Sequence, residues 1–129
     1  FWQNLFSDPE TKSVTLVAEK DNKVIGFCSV GPSRDEDAGT NGELTAIYID
    51  PNNLGQGTGT ALMKQGLTVL REKGFTKATL WVLGTNQKTR DFYEKNGWRI
   101  DGETKVEEKN GIKLSEVRYF IDLSQSLLS

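Results

Sequence analysis

Residues 49–63, IDPNNLGQGTGTALM, run from the end of an apolar strand pattern into a helix pattern across three alternate glycines, Gly55, Gly57 and Gly59. A helix leaves its first backbone N–H groups without partners and places partial positive charge there. Glycines ahead of it remove the Cβ atoms that would hold an anion away from those amides. The junction therefore demands a strand leading straight into a helix, and it has the parts of a phosphate cradle. Two common phosphate patterns fail. The nucleotide-binding pattern needs Gly-Lys-Ser/Thr, whereas Gly59 is followed by Thr60 and Ala61. The dinucleotide fingerprint G-x-G-x-x-G needs glycine where Thr60 stands, and expects the motif after the first strand of a βαβ unit.

The rest of the chain sets the context. FWQNLF reads as the tail of an amphipathic helix that ends near Asp8-Pro9. SVTLVAEK and KVIGFCSVG alternate as two strands around a tight turn at Asp21-Asn22. PSRDEDAGTNG is a polar loop, and ELTAIYID is a third strand closed by Pro51. From Thr58 to Lys73 the spacing is helical, with Leu62, Gly66, Val69 and Leu70 on one face and Gly74 as the stop. KATLWVL is a strand, and NQKTRDFYEKNG a short helix starting near Asn86 with Gly97 past its end. The remainder pairs strands around the hairpin signal Asn110-Gly111. The order (helix)-β-β-β-α-β-α-β-β predicts one α+β domain over residues 1–129, a mixed sheet with helices on its faces.

Composition narrows the chemistry. The chain has no His and a single Cys, so no ordinary structural zinc site, Ser-His-Asp triad or Cys-His pair can form, and no metal is expected. Catalysis must run on carboxylates, Tyr, Lys, hydroxyls and backbone amides. The net charge is −2 with Lys and Arg scattered, which argues against nucleic acid. No apolar run approaches the ~18 residues of a membrane span. A lone Cys28 fits a reducing compartment, and a cytoplasmic location is expected. The first residues lack a signal-peptide pattern and an initiator Met, so further residues are expected upstream.

Two stretches carry a family resemblance. LGQGTG after IYIDP resembles the acyl-CoA pyrophosphate loop of the GCN5-related N-acetyltransferases, Q/R-x-x-G-x-G/A, at Gly57 and Gly59. Leu54 stands where that family has Gln or Arg. NQKTRDFYEKNGW resembles its other signature at Asn86, Phe92, Tyr93, Gly97 and Trp98. Asn86, Arg90 and Tyr93 recur at helical spacing as one stripe, which leaves Phe92 to a different face, suited to the core. The resemblance runs from Val14 to Leu123. It implies the acyl-CoA N-acyltransferase fold, a splayed, mostly antiparallel central sheet flanked by helices. The first strand and first helix usual in the family are missing.

The resemblance further implies acetyl transfer from acetyl-CoA, a cosubstrate, to the amine of a small molecule or peptide by direct attack in a ternary complex. A homodimer is common in such proteins. Leu54, Gly55, Gln56, Gly57, Thr58, Gly59 and Thr60 would cup the pyrophosphate, and Ile47, Tyr48 and Ile49 would lie along the pantetheine arm. The amide of Tyr48 or Ile49 would hold the oxyanion. Asn86, Arg90 and Tyr93 would line the cofactor from the second helix. Tyr93 matches the general acid that reprotonates the CoA thiolate; the alternative is that it only orders the sulfur by a hydrogen bond. Glu43 is the candidate base; the alternatives are an exposed strand-edge Glu or an ammonium anchor, and strict alternation would put it with Thr45, Ile47 and Ile49 on one face. Asp35, Glu36 and Asp37 either attract a cationic acceptor or form a solvated loop, and Arg34 either pairs with them or holds a substrate carboxylate. Cys28, Trp81 and Trp98 read as packing residues. A competing function is an acyl-CoA-binding sensor or interaction module without turnover.

Overall fold

The computed structural model describes residues 2–8, 12–37 and 39–124. The elements are β1 (Trp2–Asp8), β2 (Ser13–Lys20), β3 (Lys23–Pro32), β4 (Asn41–Ile49), α1 (Thr58–Glu72), β5 (Lys77–Leu83), α2 (Gln87–Lys95), β6 (Arg99–Lys109) and β7 (Ile112–Asp122), with a 3-10 turn at Pro51–Asn53. They fall into two compact units, Phe1–Ala78 with Asp122–Ser129, and Thr79–Ile121.

In the first unit β1, β2, β3 and β4 pair consecutively, each antiparallel to the next. Residues opposite one another share a face, so Val14 with Val30, Leu16 with Cys28, and Ala18 with Gly26 form one buried stripe. Helix α1 lays Leu62, Met63, Leu67 and Leu70 against the sheet, all buried. Each such side chain contributes ~1.5–3 kcal/mol by leaving water. Gly66 lets the helix come close: a Cβ there would sit 3.0 Å from Val30 Cγ1 and 3.1 Å from Cys28 Sγ. Val69, expected on the buried face, is half-exposed, and Met63 and Leu67 fill the stripe instead.

The helix expected at FWQNLF is a strand over its described residues, 2–6; Phe1 lies outside them. Seven residues of β1 pair in register with β2, from Trp2↔Glu19 to Asp8↔Ser13. A short apolar run carries no period that separates strand from helix. Six residues gain little as a helix on their own, whereas the open edge of β2 offers a row of backbone partners.

The turn between β2 and β3 has positive φ at both Asp21 (53°) and Asn22 (65°), the type I′ geometry that matches strand twist. Between β3 and β4 the register slips: Ser29 faces Ala46 but Val30 faces Leu44, so Thr45 is an extra residue, a β-bulge. Its hydroxyl donates to the Ser29 carbonyl at 3.2 Å.

In the second unit β7 lies between β5 and β6. The β6–β7 hairpin closes on Asn110 and Gly111, φ 53° and 80°. Its ladder is interrupted between Ile100 and Thr104, where Arg118 Nε donates to Asp101 Oδ2 at 2.6 Å. Asn86 caps α2 by accepting from the Thr89 amide at 3.3 Å. Gly97, at φ 95°, ends that helix, and the Trp98 amide returns to the Tyr93 carbonyl at 3.1 Å. No helix is long and apolar enough to cross a membrane among the described residues.

Candidate active site

Each unit carries part of the predicted site. In the first, the chain leaves β4 through a short turn in which Asp50 accepts from the Asn52 amide at 3.0 Å. Leu54, Gly55, Gln56 and Gly57 follow, all exposed. Gly55 and Gly57 have φ of 79° and 78°, a conformation that costs an L-residue ~1–2 kcal/mol. A Cβ on either would meet nothing within 4 Å, so the space above the turn is open. Gly57 is the N-cap of α1 and has no side chain with which to cap that helix. The first backbone bond of α1 runs from the Ala61 amide to the Gly57 carbonyl, 3.0 Å. The preceding amides of Thr58, Gly59 and Thr60 therefore have no partner within the helix. Gly59, the third glycine of the motif, is already helical.

Strand β4 orders its amides by alternation. The Asp50 amide donates to the Ile25 carbonyl on β3 at 2.8 Å. Backbone groups alternate sides along a strand, so those of Tyr48 also point to β3 and those of Ile47 and Ile49 point away from it. Of the two amides considered for the oxyanion, Ile49's faces away from the ladder with β3 and Tyr48's faces into it. The Tyr48 ring is 51% exposed and stacks on Phe27 with centroids 5.9 Å apart.

The bulge at Thr45 overturns the expected alternation of Glu43 with Ile47 and Ile49. Glu43 pairs across from Gly31, and the extra residue puts it on the face of Ala46 and Tyr48, while Leu44 joins Ile47 and Ile49. Glu43 is also buried, at 1% exposure, and engaged at both oxygens. The Arg34 amide and Nε donate to its Oε1 at 3.0 and 3.3 Å, and Arg34 Nη2 to Oε2 at 2.8 Å. Arg34 thus pairs with Glu43, a partner the sequence reading did not consider. In the loop, Asp35 is half-buried, with its amide donating to Ser33 Oγ at 3.2 Å, and Glu36 and Asp37 are exposed. Cys28 is fully buried, and burial pushes its thiol up to about 12, which keeps it protonated and unreactive.

In the second unit α2 presents a different face from the one expected. Tyr93 is buried at 5%, whereas Phe92 is only half-buried. Tyr93 packs edge-on to Phe92 and Trp98, with centroids at 5.5 and 6.0 Å, and is tilted against Tyr119 at 6.2 Å. Trp98 is core, as expected, and Trp81 is half-buried with Lys105 Nζ 4.4 Å above its ring. The side-chain oxygen of Asn86 is taken up as the helix cap. Arg90 turns to Gly84, donating from Nη1 to its carbonyl at 2.9 Å, and to Tyr119, donating from Nε to Oη at 2.9 Å. Tyr119 and Glu94 escaped the sequence reading; the apolar alternation of β7 marks Tyr119 as a strand residue, but nothing in it announces a polar contact with α2. Among the described residues, no three His, Cys, Asp or Glu side chains cluster as a metal site.

A family model described as Acetyltransferase (GNAT) family matches residues 1–98. The chain is 39% identical over 75 residues to the uncharacterized N-acetyltransferase YuaI of Bacillus subtilis (strain 168), covering 58% of this chain and 43% of that one. It is 31% identical over 88 residues to a mycothiol acetyltransferase of Acidimicrobium ferrooxidans, 68% of this chain and 28% of the relative. The chain thus spans less than half the length of either. The structure of yncA from Salmonella typhimurium with its cofactor acetyl-CoA superposes with a TM-score of 0.74 at 18% identity, over 91% of this chain and 68% of that one. That likeness establishes the acyl-CoA N-acyltransferase fold. With a family match along most of its length, the chain belongs to the acetyltransferase (GNAT) family.

Proposed function

We propose that the chain forms the acetyl-CoA-binding part of an N-acetyltransferase that passes acetyl directly to a primary amine. The observation that carries this reading is the start of α1. Three amides lacking helical partners follow two left-handed glycines, below open space, in a family whose acetyltransferase relatives share this part of the chain. An anion such as the CoA pyrophosphate would accept from those amides and add to the favourable end of the helix dipole. Leu54, Gly55, Gln56, Gly57, Thr58, Gly59 and Thr60 would surround it. Ile47 and Ile49, whose backbone groups face away from β3, would bond the pantetheine arm, and the Ile49 amide would hold the oxyanion. On α2, Asn86 caps the helix and Arg90 bonds Gly84 and Tyr119, so their part would be to order the helix that carries Tyr93.

A direct attack needs a proton for the departing thiolate, and Tyr93 would supply it. An acyl-enzyme is disfavoured by the state of Cys28, buried and protonated, with no His to activate it. Glu43, with both oxygens engaged by Arg34, ties the β3–β4 loop to β4. To serve as base, or as anchor for a substrate ammonium, it would first have to release Arg34, whose side chain is 71% exposed. The acceptor is a small-molecule or peptide amine, and mycothiol acetyltransferases are one precedent among the relatives.

Calorimetric titration with acetyl-CoA, followed by a free-thiol assay over a panel of amines, tests the reading. Saturable binding and thiol release with one amine is the expected result. Binding with no release on any amine would replace the enzyme with an acyl-CoA sensor. No binding would remove the cofactor site altogether.

A further inference from the structure

We propose that Tyr119 is a positioning residue for Tyr93, clamping helix α2 through Arg90 and Glu94 so that the Tyr93 hydroxyl is presented in one place. This rests on the reading of Tyr93 as the acid. Tyr119, on β7, is fully buried, and its hydroxyl uses both of its valences on α2. Its oxygen accepts from Arg90 Nε at 2.9 Å and its proton goes to Glu94 Oε2 at 2.5 Å. Arg90 and Glu94 lie one turn apart, and Tyr93 sits between them in sequence. Arg90 continues the chain of bonds to the Gly84 carbonyl, beyond the end of β5.

The helix carrying Tyr93 is therefore bolted at mid-length to β7 and to the backbone after β5. The two rings are also in contact, with centroids 6.2 Å apart and planes at 46°. Burial raises the Tyr119 hydroxyl above its ordinary range, tempered by the Arg90 bond, so it remains a donor to Glu94 at neutral pH. Removing only that oxygen leaves Arg90 and Glu94 free to pair with each other at i,i+4, an arrangement that relieves both charges without holding α2 to β7. A 1 Å loss of register suffices to change a rate by orders of magnitude.

The chain has only three tyrosines, Tyr48, Tyr93 and Tyr119, which makes the test direct. Protein labelled with carbon-13 at tyrosine Cζ gives three resonances, assigned by Tyr93→Phe and Tyr119→Phe. In Tyr119→Phe, with its fold confirmed by circular dichroism, the Tyr93 signal should shift or broaden and titrate at a different pH, while Tyr48 stays put. A Tyr93 signal identical to wild type in position and titration would overturn the proposal. In thiol release from acetyl-CoA with the panel amine that turns over fastest, Tyr119→Phe should lower kcat about ten-fold with KM for acetyl-CoA within about two-fold. Added to Tyr93→Phe, the same change should cost nothing more. Independent, multiplying losses would refute the positioning role. Full activity of Tyr93→Phe alone would instead sink the acid assignment, and the resonance would still report whether Tyr119 orients Tyr93.

Discussion

Replacing Gly57 by Val separates the ligand's demands on the glycine turn from the fold's. The substitution has two costs. Holding a β-branched residue at φ 78° strains the backbone by about 1–2 kcal/mol, with no clash, because a Cβ there meets nothing within 4 Å. The second cost falls on binding. The branched side chain would occupy the space through which a pyrophosphate reaches the amides of Thr58, Gly59 and Thr60. A hydrogen bond to a charged group is worth about 1.5–3 kcal/mol. Losing two of them removes at least about 3 kcal/mol, more than a hundred-fold in Kd. Gly74 is the matched control. It lies at the other end of α1, at φ 95°, also with nothing within 4 Å of a Cβ, so Gly74→Val carries comparable strain far from the turn. Calorimetry with acetyl-CoA should show Gly57→Val losing its heat signal and Gly74→Val binding as wild type, while urea unfolding shows both destabilised by similar amounts. Wild-type affinity in Gly57→Val, or an equal loss of affinity in both variants, would refute the reasoning.

Arg34→Ala strips a buried carboxylate of its bidentate partner and should destabilise the protein by about 1–2 kcal/mol, discounted because Arg34 itself is largely in water; a urea midpoint unchanged from wild type would show that Glu43 does not need it. Tyr93→Phe should lower turnover while sparing acetyl-CoA affinity, and full turnover in the thiol assay would remove the acid role. Cys28 makes stability depend on alkaline pH. Its thiol rises from 9.0 to about 12 on folding, so the native state keeps a proton the unfolded chain releases. Stability therefore falls as pH rises above 9, by about 2 kcal/mol between pH 9 and 10.5. Cys28→Ala should unfold with a shallower slope over that range, and an identical slope would mean that other groups carry it.

Local chemistry made much of this molecule readable in advance. Asn110-Gly111 and Asp21-Asn22 announced their turns because few residues accept positive φ, and the glycines before α1 announced a helix start for the same reason. The cap at Asn86 and the stop at Gly97 bracketed α2 within a residue. The misses share a different origin. Whether FWQNLF is helix or strand depends on the free edge of β2, a partner remote from the segment's own pattern. Phe92 and Tyr93 are adjacent and both aromatic, so helical spacing alone does not decide which one turns inward; Trp98 and Tyr119 decide it by packing on Tyr93. The ion pair of Arg34 with Glu43 joins a loop to a strand nine residues on, a distance over which no periodicity speaks.

The extra residue in β4 matters for how roles are carried between related sequences. Upstream of Thr45 the strand is one residue longer than the ladder opposite it needs, and downstream it is in step. A relative whose strand lacks the bulge will match this chain only with a one-residue gap at that point. Aligned without the gap, the residue named as Glu43's counterpart would be a neighbour on the opposite side of the sheet, turned toward the helix. An acidic side chain one position away in such a relative is then the true equivalent, and its absence at the nominal position is no loss at all.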